Sequence, residues 1–241
     1  MHVVVTGGAG FLGSRLAHEL LAAGSLTVAG GAPRALSRLT LLDRVPVPPD
    51  LAADSRVAVI LGDLADPGFA QNALAGAELI FHLAAAVSGE CEADFDLGLR
   101  ANLQATQALL ASCRALGTSP VVVFTSSLAV FGGSAETVIT DDTWPVPQTS
   151  YGTQKAMLEL LLADYTRKGF LHGRAMRLAT VSVRAGRPNT AASSFLSGII
   201  REPLAGVRSV VPVPPETEAA LASPAKAVAA LIRAATATDE E

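Results

Sequence analysis

The 241-residue sequence contains two tyrosines and three lysines, and one of each stands four positions apart, at Tyr151 and Lys155. At those frequencies such a pair is expected by chance about 0.025 times. Residues four apart share a helix face, so the phenol and the ammonium can project into one site. An ammonium held about 4 Å from the phenol is worth on the order of 4 kcal/mol at an effective dielectric near 20. That would bring a phenol that starts near pKa 10 toward neutrality. Tyr151 would then serve as a general base, removing an alcohol proton while hydride leaves the same carbon. Upstream, Thr125-Ser126-Ser127 follow the apolar run at 121–124 and put hydroxyls at the carboxyl end of a strand, where ligands of open α/β sheets bind. One of these hydroxyls could hydrogen-bond the substrate oxygen beside Tyr151. A hydroxyl residue at a strand end is otherwise an ordinary turn former.

Hydride chemistry needs an acceptor, and the start of the chain offers a place for a dinucleotide. Gly7, Gly10 and Gly13 are spaced G-x-x-G-x-x-G, with Phe11 and Leu12 between the last two, directly after a short β-branched run. The spacing alone is expected about 0.15 times by chance in a chain with this much glycine. Its position between a strand and a helix makes it informative: glycine permits the tight turn, the approach of a pyrophosphate and close helix packing. Asp43, ending the run Leu41-Leu42, is the candidate for holding the ribose hydroxyls. Its charge would repel a 2′-phosphate and so favours NAD, although Arg44 beside it keeps NADP open. Asp43 lies 30 residues beyond Gly13, and the Gly-, Ala- and Pro-containing stretch at 24–37 must absorb the extra length. Asp63 ends the following run, either near an adenine or as a helix cap before Pro67.

These residues require a frame that alternates strands and helices. Short apolar runs at 2–5, 39–42, 57–61, 79–83, 121–125 and 175–181 read as strands. Helices are expected over 11–23, 67–75, 95–116 and 151–168, and one Ala-rich helix over 224–237. Strands and helices at this spacing predict an α/β fold, a Rossmann-type doubly wound parallel sheet with helices on both faces. After Val181 prolines interrupt the pattern, so the chain divides into a nucleotide-binding domain at 1–182 and a smaller substrate lobe at 183–241.

Composition narrows the classes. Half the residues are hydrophobic and 17% charged, which provides ample apolar side chain for a packed core. A net charge of -4 argues against a nucleic-acid binder that works by neutralising phosphates. Cys91 and Cys113 are too few for a disulfide framework and fit a reducing, cytoplasmic setting. The N-terminus lacks the features of a signal peptide. The uncharged run at 115–135 contains Pro120 and several Gly and hydroxyl residues, so it reads as strand plus turn rather than a membrane span. His2, His18, His82 and His172 are scattered, supporting neither a metal site nor a Ser-His-Asp triad, and His82 reads as a packed structural residue.

Taken together, Thr6-Gly7-Gly8-Ala9-Gly10-Phe11-Leu12-Gly13, Gly62-Asp63-Leu64, His82-Leu83-Ala84-Ala85, Asn102, the segment from Phe124 to Gly132 and Tyr151-Gly152-Thr153-Gln154-Lys155 resemble the extended short-chain dehydrogenase/reductases over about residues 1 to 190. The resemblance implies that Tyr151 is the acid/base, that Lys155 holds the nicotinamide ribose and tunes Tyr151, and that Ser127 positions the substrate oxygen, with Ser126 as the second candidate for that role. It implies NAD as cofactor, with further contacts from Leu64, Ala84, Asn102 and Leu178. Asn102 falls mid-helix, where it either bends the helix and holds water near Lys155 or is simply a tolerated polar residue. The segments 87–96 and 191–204 look like those of NAD-dependent sugar-acid oxidoreductases within this family. The implied reaction is oxidation of a secondary hydroxyl of a small sugar acid to the keto acid. Its carboxylate would be received bidentately by an arginine, with Arg184, Arg187 and Arg201 as candidates, and Ser88 would face the substrate or cap a turn. A nucleotide-sugar 4-epimerase uses the same residues, and an idle NAD-sensing regulator would keep the fold alone. Leu128-Ala129 after Ser127 disfavours a dehydratase, which would carry an Asp-Glu pair there. The family is often dimeric through its two long helices, here 95–116 and 151–168. Extended members usually continue well past this length, so the substrate lobe is expected to be incomplete.

Overall fold

A computed structural model describes residues 1–66, 68–132, 138–140, 142–186, 188 and 190–238. The elements that frame the site are, in chain order, β1 (His2–Thr6), α1 (Phe11–Ala23), β2 (Arg38–Asp43), β3 (Val57–Leu61), β4 (Leu79–His82), α2 (Ala105–Leu116), β5 (Val121–Ser127), α3 (Ser150–Arg167), β6 (His172–Leu178), α4 (Phe195–Leu204) and α5 (Pro224–Thr236). The six strands form one parallel sheet in the order β3-β2-β1-β4-β5-β6. This is the doubly wound arrangement, and the strand order reverses between β1 and β4.

Side chains that alternate along buried strands feed two separate cores. Val3, Val5, Leu39, Leu41, Leu79 and Phe81 point to one face, where they meet Leu16 and Leu20 of α1 and Val228 and Leu231 of α5. Val4, Leu42, Ile80, Val122 and Phe124 point to the other, against Leu109 and Leu110 of α2 and Leu158 and Leu162 of α3. Strands buried on both faces read as unbroken apolar runs, which is why the central strands were legible from sequence.

Several expected elements differ in detail. The helix expected over 95–116 is interrupted: Phe95–Gly98 is α-helical, Leu99–Gln104 is a π-helix, and α2 follows. The stretch at 24–37 holds a two-residue antiparallel pair, Ser25–Leu26 with Arg34–Ala35. Between those strands, the amides of Ala29 and Gly30 donate to the carbonyls of Ala235 and Thr236 at the end of α5, at 2.9 and 2.8 Å. The strand expected over 175–181 begins at His172 and leaves the main sheet after Leu178; Thr180–Val181 then pairs with Leu221–Ala222. The helix expected over 67–75 spans Phe69–Ala73. Ser88–Ala93 and α4 are helices that periodicity did not reveal, because both are short and α4 contains Pro203. Pro224 and the capping Ser223 start α5, which returns the chain to the first face of the sheet.

Candidate functional site: a glycine turn facing a buried tyrosine and lysine

The turn after β1 is pinned from below: the amides of Gly7 and Gly8 both donate to the carbonyl of Leu42, at 2.8 and 3.2 Å. Gly7 has a φ of +71°, and a β-carbon on Gly13 would stand 2.0 Å from the Gly7 carbonyl oxygen. Only glycine allows α1 to start this close to the turn. Gly10 caps α1 without a side-chain hydrogen bond, so the first amides of the helix face outward with the positive end of its dipole. Asp43 braces the turn: its Oδ2 accepts from the Ala9 amide at 2.9 Å and its Oδ1 from Arg44 at 2.7 Å. A cleft beside it is lined by Gly7, Gly10, Asp43, Asp63, Leu64 and Ala84. A backbone cradle that side chains would fill, ending at a strand-terminal acid, fits the adenosine and pyrophosphate of NAD. Asp63 does not cap the helix Phe69–Ala73, which starts at Gly68; its Oδ1 closes a turn by accepting from the Ala65 amide at 2.9 Å, and its Oδ2 meets Arg100 at 3.2 Å.

A larger cavity of about 560 Å³ shares Gly7 and Gly10 with this cleft and extends to Tyr151, Lys155 and Ser127. Phe11, Leu12, Gly13 and Leu178 also line it. The start of α3 aims Tyr151 inward. Thr149 caps it by accepting from the Gly152 amide at 3.0 Å, and the Ser150 amide donates to Glu92 at 2.7 Å. A β-carbon on Gly152 would lie 2.0 Å from the Ala129 carbonyl oxygen, so this glycine lets the helix press onto the segment after β5. Tyr151 thereby comes beside Ser127 in the cavity wall. Lys155 is only 2% exposed; its Nζ donates to the Thr125 carbonyl at 2.7 Å and lies 4.6 Å from the centre of the Phe124 ring.

The electrostatics differ from the sequence expectation. Burial pushes the Tyr151 phenol up to about 12, although the Ser127 hydrogen bond opposes the rise. Burial likewise pushes Lys155 down to about 8. The ammonium does not carry the phenol to neutrality, because desolvation acts on both groups and Nζ is aimed at the Thr125 carbonyl rather than at the phenolic oxygen.

Of the two serines, Ser127 faces Tyr151 and also accepts from the Ala129 amide at 3.1 Å. Ser126 also lines the cavity but gives its hydroxyl to Glu159, so the second candidate's donor is already engaged. Asn102 does not line the cavity among the described residues. Its amide accepts from the Ala86 amide at 2.8 Å and donates to Gln154 at 2.8 Å and to Cys91 Sγ at 3.2 Å. It therefore ties the backbone beside both cavities to the Tyr151 helix. His82 is packed between Thr6 and Thr106, at 2.7 and 2.8 Å, and burial lowers it to about 3, so it stays neutral.

Toward the substrate side, Ser88 begins the helix Ser88–Ala93 and lines the cavity with Arg184. The Arg184 guanidinium sits 6.0 Å from the centre of the Phe11 ring, and its amide donates to Ser197 at 3.0 Å. Arg201 is not in the lining; it donates to the Arg184 carbonyl at 2.8 Å and pairs with Glu202 at 2.6 Å, which makes it a support for Arg184. Arg187 lies outside the described residues. Sequence reasoning missed Thr149, Ser193, Ser194 and Ser197, which also line the cavity. The run Ser193-Ser194-Phe195-Leu196-Ser197, placing hydroxyls at the start of a helix, was the available signal. Among the described residues no cluster of His, Cys, Asp or Glu could hold a metal, and no helix is long and apolar enough to cross a membrane.

Comparison with known proteins agrees with this geometry. D-erythronate dehydrogenase of Cupriavidus necator is 57% identical over 233 residues, covering 96% of this chain and 71% of that protein. D-erythronate dehydrogenase of Haemophilus influenzae is 45% identical over 236 residues, covering 97% of this chain and 72% of that protein. A crystal structure described as the nucleoside-diphosphate-sugar epimerase from Agrobacterium tumefaciens superposes with a TM-score of 0.87 at 46% identity, over 98% of this chain and 69% of that one. The profile of the NAD dependent epimerase/dehydratase family matches residues 3–217, a span that takes in the glycine turn, the Ser127 strand and the Tyr151 helix. The chain belongs to the NAD-dependent epimerase/dehydratase family.

Proposed function

We infer that this protein is an NAD-dependent dehydrogenase that oxidises a secondary hydroxyl of a small sugar acid, D-erythronate or a close analogue, to the keto acid. The observation that carries this reading is the identity of 57% and 45% to two D-erythronate dehydrogenases across nearly the whole chain. NAD, when bound, accepts the hydride. In the proposed mechanism Ser127 holds the substrate oxygen, Tyr151 takes the hydroxyl proton, and Lys155 holds its positive charge beneath the phenol and beside the ribose. Because the phenol is protonated near neutral pH, the reverse, reducing direction finds its acid in place. Oxidation draws on a phenolate fraction that grows with pH.

Arg184 is the proposed receptor for the carboxylate, with Arg201 bracing its backbone and Ser88 beside the substrate hydroxyls. Gly7, Gly10, Phe11, Leu12, Gly13, Asp43, Asp63, Leu64, Ala84 and Leu178 are the proposed cofactor contacts, and Asn102 supports them from behind. We further propose a homodimer through α2 and α3. Leu160 of α3 is 74% exposed, and Met157 one turn earlier is also exposed, an arrangement a paired helix would cover. Two free buried cysteines accord with a reducing cytoplasm.

The test is NADH formation followed by absorbance with D-erythronate, other four-carbon acids and UDP-sugars. Turnover with an acid supports the assignment. The Agrobacterium structure favours the alternative of a nucleotide-sugar epimerase. Interconversion of UDP-sugars with tightly retained NAD and no net NADH would decide for it. Binding of NAD without turnover of any substrate would indicate a sensing role.

A further inference from the structure

One face of α3 carries more than the Tyr151 and Lys155 pair. Glu159 follows Lys155 by four residues, as Lys155 follows Tyr151, so the three side chains rise along one stripe of the helix. The Glu159 carboxyl is 10% exposed and receives three groups from two neighbouring strands. The Ser126 hydroxyl on β5 donates to Oε1. From β6, Arg177 donates its Nε to both oxygens at 3.1 Å and its Nη2 to Oε2 at 2.7 Å. The Arg177 guanidinium is in turn 4.9 Å from the centre of the Phe131 ring, on the segment that follows Ser127.

We propose that Glu159 and Arg177 form a positioning pair for the reaction. Glu159 clamps α3 to the ends of β5 and β6, and its carboxylate supplies the negative charge that balances the buried Lys155 ammonium. This inference rests on the proposed role of Lys155 but assigns two residues that the reaction scheme does not use. The clamp engages the Ser126 hydroxyl and leaves Ser127 as the serine beside Tyr151. It also holds the β5 backbone at Thr125, whose carbonyl receives Nζ.

The charges facing Lys155 are few. Tyr151 and Glu159 come from its own helix, Cys91 from the helix Ser88–Ala93 and His82 from β4. His82 stays neutral, and burial raises the Cys91 thiol, which leaves the Glu159 carboxylate, paired with Arg177, as the negative group on this side.

With only three lysines in the chain, the Lys155 side chain can be followed directly by 13C NMR of the ε carbon in the cofactor-free protein. In Glu159→Gln the Lys155 titration midpoint is expected about one pH unit below wild type, as expected for losing an opposite charge one helical turn away. Glu159→Asp restores most of the difference, and Arg177→Gln does not lower the midpoint. An unmoved midpoint in Glu159→Gln, or an equal fall in Arg177→Gln, overturns the pair, since general loosening of the helix moves both variants alike. If Glu159→Gln fails to fold, the double variant Glu159→Gln/Arg177→Gln, which strands no buried charge, carries the test: a midpoint about one pH unit below wild type supports the pair, and an unmoved midpoint overturns it. The titration needs no substrate, so failure of the dehydrogenase assay and failure of this pair are separate results.

Discussion

Replacing Gly13 by alanine tests the cofactor cradle at its tightest point. The new β-carbon would lie 2.0 Å from the Gly7 carbonyl oxygen and 2.8 Å from the Gly7 carbonyl carbon, whereas real β-carbons essentially never approach other atoms within 3.0 Å. The turn cannot relieve the clash alone. Its Gly7 and Gly8 amides are held by the Leu42 carbonyl, and the Gly7 carbonyl itself accepts from the Gly10 amide at 3.0 Å. Helix α1 must therefore withdraw, lifting Leu16 and Leu20 from the first core. Overpacking of this kind costs about 1–3 kcal/mol, and for a chain of this size that corresponds to a fall in Tm of about 2–12 °C. Withdrawal also moves the helix amides off the pyrophosphate; one charge-assisted hydrogen bond lost is about 1.5–3 kcal/mol, or roughly a ten- to hundredfold weaker NADH complex. The two quantities are measured by calorimetry of the cofactor-free protein and by titration of NADH fluorescence. Gly10→Ala is the internal comparison, because its β-carbon meets the same oxygen at 3.0 Å. It should weaken NADH binding with a smaller loss of Tm. A Gly13→Ala protein that melts within 1 °C of wild type and binds NADH equally well would refute the steric reading of the turn.

Tyr151→Phe is expected to lower kcat for sugar-acid oxidation about 10²- to 10⁴-fold, with the NADH dissociation constant within about twofold of wild type; unchanged turnover contradicts its role. Asn102→Ala strands the buried Ala86 amide and the Gln154 oxygen. At about 2 kcal/mol for each, Tm should fall by about 8–16 °C, and a change below 2 °C in thermal unfolding would show the network to be dispensable. His82, held near 3 in the fold against an ordinary 6.5, is neutral when folded and takes up a proton when unfolded. Its contribution to stability is therefore intact above pH 6.5 and is lost as pH falls below it, by about 1.4 kcal/mol per pH unit. Chemical denaturation from pH 7 to 4.5 should show that slope flattened by one proton in His82→Asn.

Much of this was legible in the chain because it depends on local rules. The runs Val3-Val4-Val5 and Val121-Val122-Val123 are buried on both faces, so they read as central strands without tertiary information. The glycine spacing marks a turn that only glycine can make, and Tyr151 and Lys155 share a helix face by helical geometry alone. Elements whose stability comes from neighbours were harder to see. The helix Ser88–Ala93 stands where Gly89 packs against the Thr190 carbonyl, and the π-helix at Leu99–Gln104 surrounds the buried Asn102, which bonds across to another helix.

The sequence by itself determined the doubly wound order of elements, the place of the glycine turn and the sharing of one helix face by Tyr151 and Lys155, since periodicity, φ preference and residue type act over a few neighbouring positions. Only the tertiary structure decided which serine faces Tyr151, which arginine reaches the cavity and how strongly both titrating groups are perturbed. Those outcomes depend on contacts between residues far apart in the chain, such as Glu159 with Ser126 and Arg177, and Arg201 with Arg184, and on burial, which removes water from charges whatever their spacing.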